Sequence, residues 1–371
     1  MIVAYVSGHG FGHAMRTAEV LRLVREQAPA VPLCVVGSAP ARLLKGSIEG
    51  EVVLRAEECD VGLVQRGPLE IDEAASLERW RKFVSDWGPR VERERQWLCD
   101  IGARVVLSDV PPLAFAAAAG AGVPSVALAN FSWDWIYRHL AARQAGLLEA
   151  AEWAASAYHK ATLLLRLPFA GDLGAFPRIE DVPLVARRPR VAPAETRRRL
   201  GLPSERVVLW SFGGHGLASF DLGVLGQLSR SHFVVTDATG QLPANVIRVS
   251  DGQLDHMGLG YIDLVAAADV VVTKPGYGIV SDAIGARTRL VYTDRGDFPE
   301  YPILVREMAK YIPCVYVSND DLMAGQLAAA LDAVMDLPWP VAPPLDGATV
   351  AARRVLDMAE MGDPKKSTRE T

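Results

Sequence analysis

The sequence predicts an α/β protein with two Rossmann-like domains that face each other across a cleft. In both halves, short apolar runs typical of buried parallel strands alternate with segments of helical periodicity. Each half also opens with a strand that runs into a glycine-rich loop, at 8–12 and at 213–216. At 371 residues the chain exceeds the usual size of one hydrophobic core, so two domains are expected.

Composition and charge exclude several classes of protein. A net charge of -5 gives no electrostatic reason to expect a nucleic-acid partner. No apolar stretch reaches the ~18 residues of a membrane helix, and no signal peptide precedes the first strand. We therefore expect a cytoplasmic protein, with a peripheral membrane contact through exposed loops left open. The four cysteines show no Cys-x-x-Cys spacing, which predicts reduced thiols and no zinc site.

The first domain, 1–166, is predicted from apolar strand runs and the helices between them. Its expected strands are 2–7, 31–37, 52–54, 104–108, 125–129 and 163–166, the last of which closes the sheet. A long helical stretch over 72–99 should be kinked or split at Gly88-Pro89. A Pro- and Arg-rich stretch with little periodicity, 167–193, predicts a linker, and its basic cluster at 187–190 predicts a solvated face.

The second domain, 194–345, repeats the same alternation. Its expected strands are 206–212, 232–236, 246–249, 269–273, 288–293 and 314–317, followed by a helix at 324–335. Prolines at 338–344 then break the chain before a final helix, 346–362, which could cross back to the first domain. The remaining residues, 363–371, predict a frayed tail.

The stretch from 269 to 301 predicts a phosphate site. A buried strand ends at Lys274-Pro275, and the turn Gly276-Tyr277-Gly278 leads into a helix at 279–286. Amide groups at a helix start can face an anion along the helix dipole. Asp282 lies one helical turn later, where its carboxylate could reach the hydroxyls of a ribose.

The next strand ends in an acidic loop beside the same crevice. This loop carries Asp294, Asp297 and Glu300, whose carboxylates could bind sugar hydroxyls. A phosphate cradle, a ribose carboxylate and hydroxyl-binding acids together predict a nucleotide-sugar site. The alternative is an ordinary Rossmann-like turn with solvated acids.

The first glycine loop, Gly8 to His13, argues against a dinucleotide cofactor. Its spacing is Gly-x-Gly-x-Gly rather than Gly-x-Gly-x-x-Gly, and no acid ends the second strand. His9 and His13 at the end of a first strand instead suggest proton transfer, because imidazole can act as a base near neutral pH. The alternative is a pair of solvated loop histidines.

Two further segments should reach the same edge of the first sheet. Asp109 follows the strand at 104–108, where it could orient an imidazole, or alternatively cap the next helix. The aromatic and polar segment 130–135 follows the strand at 125–129 and suits an acceptor pocket. Packing of its two tryptophans is the alternative.

As an ordered set, these motifs resemble inverting nucleotide-sugar glycosyltransferases of the GT-B fold. The first glycine loop looks like that of the UDP-N-acetylglucosamine transferase that completes lipid II, and 274–300 is similar to the donor signature of UDP-glycosyltransferases. The chain resembles in particular the glycosyltransferase-like N-terminal region of plant L-arabinokinases. The shared motifs are GHGFGH (8–13), SDV (108–110), NFSWD (130–134) and Lys-x-Gly-Tyr-Gly-x-Val-Ser (274–281). The resemblance ends before any kinase domain, so sugar-kinase activity is not implied.

The resemblance implies a donor site that lies mainly in the second domain, with Gly12 from the first, and an acceptor site in the first domain. The implied donor-binding residues are Gly12, Gly213, Gly214, His215, Lys274, Gly276, Tyr277, Gly278, Ser281, Asp282, Asp297 and Glu300. The implied acceptor-binding residues are Phe131, Ser132, Trp133 and Asp134. One departure is Asp282, because the donor family usually has Glu there, with a side chain one methylene longer.

The resemblance also implies the chemistry. No Asp-x-Asp motif occurs, which disfavours a metal-dependent GT-A mechanism and predicts metal-free displacement with no cofactor beyond the nucleotide-sugar substrate. His13 is the first choice for the base, His9 the second, and Asp109 the orienting acid. Two other functions stay open, a non-catalytic nucleotide-sugar binding module and a nucleotide-sugar epimerase of the same fold.

Overall fold

The computed structural model describes residues 1–40, 44, 46–66, 70–212, 220–236 and 238–361. It divides into two compact units. Unit 1 comprises Met1–Val64, Ile71–Val185 and Pro344–Thr371, and unit 2 comprises Gln65–Glu70 and Ala186–Pro343. No helix among the described residues is long and apolar enough to cross a membrane.

Unit 1 is built on a parallel sheet whose strands are fully buried at its centre. The strands are β1 (Ile2–Val6), β2 (Leu33–Gly37), β3 (Val52–Arg55), β6 (Val105–Asp109), β7 (Ser125–Ala129), β8 (Leu163–Arg166) and β9 (Ile179–Asp181). Their order is β3-β2-β1-β6-β7-β8-β9. Outside this sheet, β4 (Gln65–Arg66) and β5 (Glu70–Ile71) form a two-stranded sheet, and all of its residues except Ile71 are assigned to unit 2. Because β1 lies between β2 and β6, all five of its side chains are buried, as its unbroken apolar run predicts.

The helices of unit 1 follow the predicted alternation. They span Phe11–Gln27, Glu73–Val84, Trp87–Asp100, Pro112–Gly120, Trp133–Leu140, Leu147–Tyr158 and Gly347–Met361. The stretch expected to break at Gly88-Pro89 does split, but one turn earlier, at Ser85 and Asp86. Pro89 therefore lies in the first turn of the second helix, where a missing N–H leaves no intrahelical hydrogen bond unmade.

The large sheet of unit 1 ends at β9 rather than at β8, which the sequence predicts as its last strand. β9 pairs in parallel with β8, with Ile179 opposite Leu164. It lies within the predicted linker, and unit 1 continues to Val185. Three residues are too few to show a period of two, which is why the sequence pattern does not reveal this strand. The final helix, Gly347–Met361, packs on Phe11–Gln27 within unit 1.

Unit 2 contains a second parallel sheet, in the order β12-β11-β10-β13-β14-β15. Its strands are β10 (Arg206–Ser211), β11 (Ser231–Val235), β12 (Val246–Arg248), β13 (Val270–Thr273), β14 (Arg289–Tyr292) and β15 (Cys314–Tyr316). Helices span Pro193–Leu200, Asp251–His256, Tyr261–Ala267, Tyr277–Ala286, Glu300–Met308, Asn319–Met323 and Ala328–Asp336, with a 3-10 helix at Leu222–Gln227. Two parallel sheets with helices between their strands confirm an α/β protein with two Rossmann-like domains.

The register of unit 2 brings two strand ends together. β10 pairs with β13 so that Ser211 lies opposite Thr273, the last residue of each strand. Val208, Trp210 and Val272 of these two strands belong to the buried core of unit 2. The glycine turn after Thr273 therefore begins at the carboxyl edge of the sheet, where ligands of open α/β sheets bind.

Candidate active site and nucleotide site

His13 lies in the first turn of a helix rather than in a loop. The helix Phe11–Gln27 begins inside the glycine-rich segment, after Gly10, whose φ of 97° is a conformation that favours glycine. β1 pairs with β6 in a register that places Val6 opposite Asp109. The carboxyl ends of these two strands therefore bring His13 and Asp109 together, with Nδ1 of His13 2.7 Å from Oδ1 of Asp109.

Asp109 is held as a carboxylate by a buried arginine. Arg16 donates from Nη2 to Oδ1 at 2.6 Å and from Nε to Oδ2 at 2.9 Å. Burial opposes ionisation of Asp109, but the charges of Arg16 and His13 outweigh it and hold the pKa of Asp109 below its ordinary value. Arg16 also donates to the amide oxygen of Asn130 at 3.0 Å, which links β6 to the segment after β7.

This geometry fixes the tautomer of His13. A carboxylate can only accept hydrogen bonds, so Nδ1 of His13 carries the hydrogen that Asp109 accepts. In the neutral form of this imidazole, Nε2 keeps its lone pair, and the side chain has 11% of its surface exposed. An imidazole oriented in this way by an acid is arranged to remove a proton from a hydroxyl group.

Arg16 is a site residue that the sequence motifs do not include, although the sequence contains a signal for it. Residues three apart on a helix share one face, so Arg16 lies on the same side of its helix as His13. A charged residue on the apolar side of an amphipathic helix is rarely buried without a partner. That partner is Asp109, 93 residues away in the chain.

His9 has surroundings different from those of His13. Its ring makes an edge contact with Trp133, with centroids 5.4 Å apart. It also lies against Gly62, where a Cβ atom would come within 2.7 Å of Nδ1 of His9. His9 is thus packed between Trp133 and Gly62, whereas His13 is the histidine bound to Asp109.

The predicted acceptor residues are mostly buried. Phe131 makes an edge contact with the His13 ring at 5.5 Å, and Trp133 makes one with Phe131 at 5.2 Å. Ser132 and Trp133 have no exposed surface, and Asp134 has little. Burial raises the pKa of Asp134, against the opposing hydrogen bond from Ser132. Phe131 and Trp133 thus pack against the imidazole rings of His13 and His9.

A buried acid that the sequence motifs do not include lies beneath the glycine loop. Asp60 accepts a hydrogen bond from the indole nitrogen of Trp133 at 2.9 Å. Burial raises the pKa of its carboxyl group, while hydrogen bonds from Ser7, Trp133 and Gly8 oppose that shift. Asp60 follows β3 in a stretch without periodicity. Its position between two apolar residues is therefore the one sequence signal that could have indicated a buried acid here.

In unit 2, the glycine turn forms a helix start with cationic side chains beside it. The helix Tyr277–Ala286 begins two residues earlier than predicted, and its cap Gly276 is extended, with a φ of −142°. Burial, with a smaller contribution from Arg295, lowers the pKa of Lys274 to about 8. Arg295 donates to the carbonyl oxygen of Pro275 at 3.2 Å, and its guanidinium lies 4.5 Å from the Phe298 ring. Arg295 is a further residue that the sequence motifs do not indicate.

The predicted ribose carboxylate is bound by an arginine. Asp282 is 5% exposed, and both its oxygens accept hydrogen bonds from Arg187, the one from Nε at 3.0 Å. The next turn of the helix approaches the same segment, because a Cβ on Gly285 would lie 2.6 Å from the carbonyl oxygen of Arg187. The prediction of a solvated basic face is therefore wrong for Arg187.

The remaining donor-site residues differ in exposure. Tyr277 and Ser281 are buried, and Ser281 donates to the carbonyl oxygen of Gly278 at 2.9 Å. Asp297 is exposed, whereas Glu300 is buried at the start of the helix Glu300–Met308. Gly12 is exposed. The predicted residues Gly213, Gly214 and His215 lie outside the described residues. Within the part of the chain that the structure describes, no group of three or more His, Cys, Asp or Glu residues could hold a metal ion.

Comparison with solved structures defines the class of fold. A UDP-glucosyltransferase from Polygonum tinctorium superposes with a TM-score of 0.58 at 12% identity, over 97% of this chain and 93% of that one. Phytolacca americana UGT2, solved with UDP-2-fluoro-glucose and pterostilbene, gives a TM-score of 0.58 at 13% identity, over 100% of this chain and 96% of that one. The protein therefore has the GT-B fold.

A curated relative shows sequence similarity along almost the whole chain. L-arabinokinase of Arabidopsis thaliana is 33% identical over 362 residues, which cover 96% of this chain and 34% of that protein. The chain thus spans about a third of the length of the curated relative it matches. No family model matches the chain.

Proposed function

We propose that the protein is a glycosyltransferase that moves a sugar from a nucleotide-diphosphate donor, a UDP-sugar, to a hydroxyl acceptor. The observation that carries the proposal is the His13–Asp109 pair at the carboxyl edge of a GT-B domain. The fold itself occurs in transferases of UDP-sugars, including one solved with UDP-2-fluoro-glucose. The fold alone does not supply a catalytic base. The imidazole of His13, which packs on Phe131 and is hydrogen-bonded to the ionised Asp109, can act as one.

The proposed reaction is a single displacement with inversion at the anomeric carbon. Nε2 of His13 takes the proton of the acceptor hydroxyl, and Asp109 stabilises the imidazolium that forms. The acceptor oxygen forms a bond to the anomeric carbon as the bond to the diphosphate oxygen breaks. The diphosphate leaves with the bonding electron pair.

The proposed donor site in unit 2 stabilises this leaving group without a metal ion. Amide groups at the start of the helix Tyr277–Ala286 and the side chain of Lys274 face the developing negative charge. Asp297 and Glu300 bind sugar hydroxyls in this proposal. To bind the ribose, the carboxylate of Asp282 accepts hydrogen bonds from the ribose hydroxyls while it also accepts those from Arg187.

A second function is favoured by one observation. The curated relative carries about two thirds of its length outside the match, so this region also occurs as part of a larger enzyme. In that setting, a nucleotide-sugar binding module without transfer activity would serve a catalytic domain elsewhere in the chain. The two functions predict the same ligand and differ in turnover.

The test of the proposed function is a thermal-shift screen of nucleotide sugars, followed by turnover with a panel of hydroxyl acceptors. We expect a UDP-sugar to raise the melting temperature, and UDP to be released only when an acceptor is present. Binding without release in any acceptor mixture would instead identify the module. A changed sugar without an acceptor would identify the epimerase.

The affinity for UDP should fall as pH rises through about 8, because burial lowers the pKa of Lys274 to about 8. The ammonium is charged below this pH and neutral above it, and a bound diphosphate favours the charged form. Binding near pH 8 should therefore take up a proton, and each further pH unit should lower affinity by up to about tenfold. Calorimetry in buffers of different ionisation enthalpy measures both the affinity for UDP and the number of protons taken up on binding.

The matched variants for this measurement are Lys274→Met and Lys310→Met. Lys310 is an exposed lysine of the same unit, paired with Glu307. We expect Lys274→Met to weaken binding and to abolish proton uptake, and Lys310→Met to change neither. Proton uptake that persists in Lys274→Met would show that another group titrates.

A further inference from the structure

One buried hydroxyl joins the two segments on which the candidate base depends. Tyr158 ends the helix Leu147–Tyr158 and has no exposed surface. Its hydroxyl donates to the carbonyl oxygen of Val110 at 2.9 Å and accepts from the backbone N–H of Trp133 at 3.2 Å. Val110 directly follows Asp109 at the end of β6, and Trp133 begins the helix after β7. The hydroxyl thus connects the ends of two neighbouring strands.

Val110 adopts a conformation that its side chain disfavours. Its φ is 67°, in the left-handed region, and a β-branched residue rarely occurs there. Such strain persists only where the surroundings over-determine the conformation. Here the Val110 side chain is fully buried, and Tyr158 holds its carbonyl oxygen. The backbone of Val110, the residue after Asp109, is therefore fixed by a contact from the end of the helix Leu147–Tyr158.

The second hydrogen bond of Tyr158 acts on the aromatic segment. The first N–H groups of a helix have no partner within that helix, and the one on Trp133 is satisfied by Tyr158. Phe131, two residues earlier, contacts the His13 ring. The same hydroxyl therefore binds the two segments that carry Asp109 and Phe131, both of which contact the imidazole of His13.

We propose that Tyr158 is a positioning residue for the candidate base. Its hydroxyl holds the strained turn at Val110, so that Asp109 meets Nδ1 of His13 and keeps the proton on that nitrogen. The catalytic consequence rests on the proposed glycosyltransferase function, whereas the geometric one does not. The tyrosine ring is packed independently of its hydroxyl, stacked on Phe176 at 4.8 Å and in edge contact with Phe115 at 5.7 Å.

Tyr158→Phe is therefore the informative substitution, since it removes one oxygen and keeps the ring packing. We expect kcat for transfer to fall about 10- to 100-fold through misplacement of Asp109, with the dissociation constant of the donor unchanged. Adding Val110→Gly should recover about tenfold of this loss, because glycine adopts a positive φ without strain. A purely structural role predicts the opposite, because Val110→Gly also removes a buried side chain and would add to the damage.

A spectroscopic readout separates this proposal from the proposed function. Nitrogen–proton NMR spectra of ¹⁵N-histidine-labelled protein show which ring nitrogen carries the proton, and His13→Gln assigns the signal. We expect the Nδ1–H form in the parent, a mixture of tautomers in Tyr158→Phe, and recovery in the double variant. The control is Tyr5→Phe, a buried tyrosine that donates to Glu94 at 2.7 Å and should leave the His13 signal unchanged.

The outcomes distinguish the positioning role of Tyr158 from the proposed glycosyltransferase function. A parental His13 spectrum in Tyr158→Phe overturns the positioning role, whatever the transfer rates are. A parent that transfers no sugar to any acceptor overturns the proposed function, while the spectra still decide whether Tyr158 positions the imidazole.

Discussion

Replacing His13 by alanine should lower the rate of sugar transfer by roughly two to four orders of magnitude, the usual span for a general base. The imidazole is the group that takes the acceptor proton in the proposed mechanism, and its Nδ1 is already occupied by Asp109. Donor affinity should be unchanged, because His13 is not among the residues proposed to bind the donor. Steady-state kinetics and calorimetry with the same nucleotide sugar measure the two quantities.

His9→Ala is the matched control for this substitution. His9 comes from the same glycine-rich segment but packs between Trp133 and Gly62. We expect this variant to keep most of the transfer rate. If His9→Ala loses transfer and His13→Ala keeps it, the base is His9. If neither variant loses transfer, the mechanism needs a different base.

Replacing Asp109 by asparagine should damage both activity and stability. An asparagine amide can donate to Nδ1 and so favour the wrong imidazole tautomer, an effect of about 10⁴ in rate for the Asp-to-Asn change in a serine protease triad. The substitution also leaves Arg16 buried without its counter-ion, which costs about 3 to 5 kcal/mol in comparable pairs. Transfer kinetics well below the melting temperature and urea unfolding measure these two losses.

A double variant separates the two effects of Asp109. Asp109→Asn with Arg16→Met removes both charges, so it should recover much of the unfolding free energy and none of the transfer rate. Recovery of transfer would show that Asp109 acts on stability alone. The pH dependence offers a further check, because the pKa of Asp109 is lowered in the folded state.

The sign of that pH dependence follows from the lowered pKa. The stability that Asp109 contributes is fully present above its unfolded pKa, near 4, and is lost as pH falls through the lower folded value. The parent should therefore lose stability in acid more steeply than the double variant does. Urea unfolding at several pH values below about 5 tests this expectation.

Much of the fold could be predicted from local sequence patterns. β7 and β8 match their predicted ranges, and most other strands lie within two residues of them. Apolar runs without alternation predict strands buried on both faces, and this signal needs no knowledge of the partner strands. β9 was not predicted, because three residues are too few to show the alternation of a strand. Its position at the edge of the sheet depends on its pairing with β8.

The candidate site was predictable only in part. The sequence indicated His13 and Asp109, because parallel strands deliver the residues after them to one edge of a sheet. It indicated the glycine turn after β13 for the same reason. It did not indicate Asp60, which lies in a segment without regular structure and contacts Trp133, 73 residues further along.

What the sequence determined by itself is the set of local features, namely the strands, the glycine turns and the polar residues that follow strand ends. Only the tertiary structure decided the partners, such as Arg16 for Asp109, Arg187 for Asp282 and Tyr158 for Val110. The physical reason is that strand and helix patterns arise from neighbours a few residues apart. A buried charge or a strained turn is instead stabilised by groups distant in the chain, and their approach depends on the order of strands in the sheet and the packing of helices on it.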